Sequence, residues 1–147
     1  MIKTLFKLRT LIAVICIAVL CACSSATAKE PVIGSWTLDK VYAAEAGETE
    51  LTERDPETAA SLFGDLDGYY TFEENGEAVH GYNGGGETTE DKGKWEKGEN
   101  TAYVFTDDSG EMTFVYNADD DTLHSVWSDE SQTEGWVSIE YVYKRKK

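Results

Sequence analysis

From Val32 onward the chain alternates short apolar runs with clusters of glycine, asparagine and aspartate, the pattern of strands joined by turns. Residues 32–42 are rich in β-branched and aromatic side chains and place Trp36, Leu38 and Lys40 on one face of a first strand. Residues 69–74 and 77–82 flank Asn75-Gly76, a strong hairpin signal because both residue types tolerate the positive φ of a tight turn. Runs at 88–96, 101–106, 111–116, 122–127 and 136–144 follow, each after its own turn-forming cluster. One connection is long. Within residues 43–67, the stretch 55–63 offers an N-cap aspartate, a proline at the first helical position and an apolar patch, and Gly64 stops it. The expectation is an all-β fold, an eight-stranded antiparallel up-and-down barrel with one short helix in the first long connection; a sandwich is the other arrangement this rhythm permits.

Ahead of residue 32 the pattern changes. Lys3, Lys7 and Arg9 precede an apolar run from Leu11 to Leu20, well short of the roughly 20 residues that span a bilayer. The run closes on Leu20-Cys21-Ala22-Cys23, which resembles the lipobox of bacterial lipoproteins. That resemblance implies a signal peptide over 1–22, acylation of the Cys23 thiol, and export to the outer face of a bacterial membrane with the lipid bilayer as partner. Residues 23–31 then read as a lipidated tether, and 32–147 as one domain large enough to bury a core. Cysteines occur only at 16, 21 and 23, so the domain rests on packing rather than on disulfides.

Charge narrows the partners. With 28 acidic against 13 basic residues the formal net charge is −15, which argues against nucleic acid and suits either solubility or attraction of a basic partner protein. The two histidines, His80 and His124, fall on different predicted strands, and neither a nucleophile elbow nor a phosphate-binding loop is present, so no enzyme and no cofactor is expected. Acidic clusters at Asp107-Asp108, at Asp119-Asp120-Asp121 and at Asp65-Leu66-Asp67-Gly68 fall between strands and read as turn formers. No metal centre is expected beyond a weak surface calcium site at such a turn.

Gly34-Ser35-Trp36 heading the first strand, eight strands in meander order, a long first connection, and Arg145 closing Tyr141-Val142-Tyr143-Lys144-Arg145 together resemble the lipocalin-like domains of small bacterial lipoproteins, over about residues 32–145. The resemblance implies a barrel that binds a small lipophilic or amphipathic molecule. Independently, a meander of eight strands brings its first and last strands to one rim, where the Trp36 indole can face the Arg145 guanidinium. Gly34, Trp36 and Arg145 are therefore candidates for structural closure, and Lys144, Arg145, Lys146 and Lys147 face the membrane. Leu38, Tyr70, Phe72, Tyr103, Phe105, Phe114, Tyr116, Trp127 and Tyr141 are the candidate ligand-lining positions, with 43–67 as a lid. In so small a barrel they either fill the interior or leave room for one small ligand. Two functions stay open: a ligand held inside the barrel, or a basic partner protein docked on its outer wall.

Overall fold

The computed structural model describes residues 28–55, 68–84, 87–129, 131 and 135–147. They form strands β1 (Gly34–Glu45), β2 (Thr52–Arg54), β3 (Tyr69–Phe72), β4 (Glu77–Gly84), β5 (Glu87–Lys97), β6 (Ala102–Asp107), β7 (Gly110–Asn117), β8 (Thr122–Ser128) and β9 (Trp136–Arg145). Every pairing is antiparallel, and β1 meets both β3 and β9, so a meander of eight strands closes on itself as a barrel. This is the fold class the hydrophobic alternation predicts. Residues 56–67, which hold all but the first position of the expected helix at 55–63 and about half of the expected lid, lie outside the described residues.

Three local features depart from the expectation. A ninth strand, β2, pairs with Val41–Ala43. Its neighbour β3 spans four residues against twelve in β1, so β2 covers a stretch of β1 edge that β3 does not reach. Second, a bulge lies between Leu38 and Lys40 in the β1–β9 ladder. It shifts the alternation by one residue, so Val41 and Ala43 are buried while Lys40 turns outward to the Glu53 carboxylate at 3.2 Å. Lys40 thus does not share the face of Trp36 and Leu38. Third, Glu30 and Pro31, read from sequence as the end of the tether, are already bound to the barrel. Glu30 accepts hydrogen bonds from Lys97 at 3.0 Å and Tyr103 at 2.9 Å, and the Pro31 carbonyl accepts one from Arg145 at 2.6 Å.

The interior divides into two parts. Near the rim that carries Val32 and Arg145, a continuous core of Trp36, Tyr70, Phe72, Tyr103, Phe114, Leu123 and Tyr143 fills the lumen. The rings interlock edge to face: Tyr70 lies 4.7 Å from Phe114 and 5.4 Å from Tyr143, and Phe72 lies 5.6 Å from Phe114. Such pairs add to the burial of large apolar surface, which is the main source of stability in a domain without disulfides. A smaller cluster of Val41, Ala43 and Ile139 lies toward the opposite rim, joined to the first through Leu38 and Tyr141.

Candidate functional site

One end of the barrel is sealed by a single cation. Arg145 lies with its guanidinium carbon 4.1 Å from the centroid of the Trp36 ring. It donates to both carboxylate oxygens of Asp121 at 2.9 Å, to the Ile33 carbonyl at 2.9 Å and to the Pro31 carbonyl. Gly34 makes the approach possible: its φ is +135°, and a Cβ there would stand 2.8 Å from an Arg145 nitrogen. Trp36 completes the seal by donating its indole N–H to the Val32 carbonyl at 2.7 Å. Gly34, Trp36 and Arg145 therefore meet at one rim. The basic tail is consequently not one free cluster, since Arg145 is held by Asp121 and Lys144 pairs with Asp39.

The predicted lining residues separate by depth. Tyr70, Phe72, Tyr103, Phe105 and Phe114 are buried in one cluster, with the Tyr70 ring against Phe72, Phe105 and Phe114 and the Tyr103 ring against Trp95. Tyr116 also sits low, edge-on to Trp36 and donating to Asp121 at 3.2 Å. Leu38 and Tyr141 bridge the two core clusters. Trp127 is 43% exposed at the open end of β8, opposite Ile139. Among the described residues the lower lumen is thus filled, and space remains above it.

That space is a cavity of about 250 Å³ lined by Tyr70, His80, Phe105, Asp107, Ser109, Gly110, Glu111 and Met112. A glycine again shapes it: a Cβ on Gly93 would come 2.7 Å from the Phe105 ring and would also strike the Thr106 carbonyl oxygen. The bare backbone lets Phe105 lie against β5 instead of reaching across the lumen. The Tyr70 hydroxyl donates to the Met112 sulfur at 3.2 Å, and burial pushes the Tyr70 and Tyr143 phenols well above their ordinary pKa. The His80 ring stacks on Tyr70 with centroids 4.5 Å apart and planes at 5°. Burial holds the imidazole below its ordinary value, against the opposing pull of Asp107 and Asp91.

His80, Asp91 and Asp107 were not among the expected site residues. His80 and the Asp107-Asp108 turn stand out singly in the sequence, but nothing in it joins them to Asp91, and the three stand far apart in the chain. What unites them is register: Tyr70 faces His80, His80 faces Asp91, and Asp107 lies on the same wall two residues beyond Phe105. The acidic turns behave as expected of turn formers. Asp107 accepts three hydrogen bonds on one oxygen, from the Ser109 amide, the Ser109 hydroxyl and the Gly110 amide, and Asp120 accepts from Thr122. Residues 65–67 lie outside the described region.

A second depression, about 690 Å³, lies on the outer wall around Thr113, Val115, His124, Val126 and Glu140. Here β7 and β8 pair only over Val115–Asn117 and Thr122–His124. Val115 and Val126 are 47% and 60% exposed, and His124 bonds Glu140 at 2.8 Å beside them. Comparison with models of known protein families finds no match, and comparison with curated proteins finds no similar sequence.

Proposed function

We propose that this chain is an exported, lipid-anchored barrel that holds a small amphipathic molecule in the open half of its lumen. The observation that carries the reading is the division of the interior into an aromatic plug below and a cavity above. That cavity combines aromatic faces and a thioether with an imidazole and a carboxylate. Its volume is just under the roughly 300–1,000 Å³ of ordinary small-molecule sites, so the ligand is small or leaves part of itself outside. Aromatic and thioether walls suit an apolar body, and Asp107 with His80 suits a donor or cationic head at the rim. The orientation fits an anchor at Cys23. Both Val32 and Arg145 lie at the sealed rim, so a tether of six residues, reaching about 20 Å, would set that rim toward the membrane and the mouth away from it.

Titration with the neutral fluorophore N-phenylnaphthylamine tests the reading. Saturable binding that Met112→Trp abolishes by filling the cavity, and that Val126→Lys on the outer wall leaves intact, is the expected result. Binding lost with Val126→Lys and kept with Met112→Trp would move the site to the outer groove.

The outer groove itself favours a second reading, docking of a basic partner protein, because exposed Val115 and Val126 adjoin Glu140 and Asp119 on a strongly acidic chain. Salt separates the two. Docking driven by this charge weakens steeply with ionic strength, whereas entry of a neutral apolar body into the lumen barely responds.

A further inference from the structure

We infer that His80, Asp91 and Asp107, on three neighbouring strands at the open rim, form a binding site for a divalent transition-series cation, with Zn²⁺ the best-matched ion. One ligand atom from each residue lies within 4.8 Å of the other two. Around an ion with bonds of about 2 Å, tetrahedral ligands stand roughly 3.4 Å apart, so side-chain adjustments of about 1 Å would close the set. The three groups do not spend their donors on one another: among the described residues neither ring nitrogen of His80 has a hydrogen-bond partner. The imidazole is nevertheless held in place by its stack on Tyr70, and Asp107 is fixed through one oxygen by Ser109 and Gly110, which leaves its other oxygen available to a ligand.

The chemistry selects the ion. One imidazole with two carboxylates neutralises a doubly charged cation and supplies nitrogen and oxygen together, the mixture preferred by zinc and its neighbours, whereas calcium and magnesium take oxygen cages. Burial favours the uncharged form of the His80 imidazole, which is the form that ligates. Three protein ligands would leave a further position for water or a small donor, and His80 and Asp107 border the same cavity as Tyr70 and Met112. The site does not depend on the ligand reading above, since it uses the rim whether or not an organic molecule fills the lumen.

Calorimetric titration of the purified chain with Zn²⁺, with Cys16, Cys21 and Cys23 changed to serine so that no thiol competes, tests the site. The result expected is one equivalent bound, weakened more than about tenfold by His80→Ala, Asp91→Asn or Asp107→Asn and unchanged by His124→Ala. Because the chain has two histidines, nitrogen chemical shifts of the rings report directly which one takes the ion. No saturable binding by 1 mM Zn²⁺ (roughly a −4 kcal/mol interaction), binding that survives His80→Ala, or calcium bound as tightly as zinc would each overturn it. Circular dichroism of each variant, unchanged from the parent, keeps a folding defect from being read as lost binding.

Discussion

Arg145 shows how much a single side chain can organise in this barrel. Its charge is shared among a carboxylate, two carbonyls and an indole face, and each of those partners belongs to a segment that must be placed before the rim can close. Gly34→Ala forces a side chain into a backbone region only glycine occupies freely, at a cost of about 1–3 kcal/mol before the clash with Arg145 is counted. Urea unfolding should show a drop of about 2 kcal/mol or more; an unchanged midpoint would mean that the rim closes without this approach. Asp121 adds a pH signature. The hydrogen bonds from Arg145 hold its carboxyl below the ordinary value, with partial burial opposing. A depressed carboxyl contributes stability above its unfolded pKa, and that contribution is lost as pH falls through the folded one. Thermal melts of Asp121→Asn should therefore start lower at pH 7 than those of the parent, and fall less steeply below about pH 4.

At the level of elements, the eight barrel strands and their order were legible because alternation and turn residues are local signals, whereas the three-residue β2 was not. Asn75-Gly76, Asp107-Asp108-Ser109-Gly110 and the run 117–121 each mark a real reversal. The bulge between Leu38 and Lys40 left no such mark, since one surplus residue in a strand of mixed polarity does not change its composition, and it sent Lys40 to the outside. The metal cluster was hidden for a related reason: His80, Asp91 and Asp107 become neighbours only through cross-strand register, which accumulates over two hairpins. The opening between β7 and β8 was invisible too, because both strands look complete when read singly. Beyond Val115 and His124 the two part, while β7 stays paired with β6 and β8 with β9. Hydrogen exchange should register this. Amides of residues 111–114 and 125–128 that face the gap should exchange at least about tenfold faster than those in the ladder at 115–117 and 122–124; equal protection would show that the seam closes in solution.

Among its described residues the molecule has a sealed, cation-clamped end and an open, partly acidic end, and the anchor expected at Cys23 would give that asymmetry a direction. Of the basic tail, Lys144 and Arg145 are engaged by Asp39 and Asp121, which leaves Lys146 and Lys147 to meet an anionic surface. Changing these two lysines to alanine should weaken association of the lipidated protein with anionic vesicles by about tenfold at low ionic strength and leave the melting temperature alone. A loss of folding instead would place them in the rim. The central claim, that the upper lumen is a ligand site and the lower lumen its floor, is tested most directly by native mass spectrometry of the Cys23→Ser protein recovered from its own host without refolding. A discrete organic mass that survives dilution, disappears on solvent extraction and is missing from Met112→Trp is the predicted result. A bare polypeptide mass in both proteins would contradict the account and leave the outer wall as the working surface.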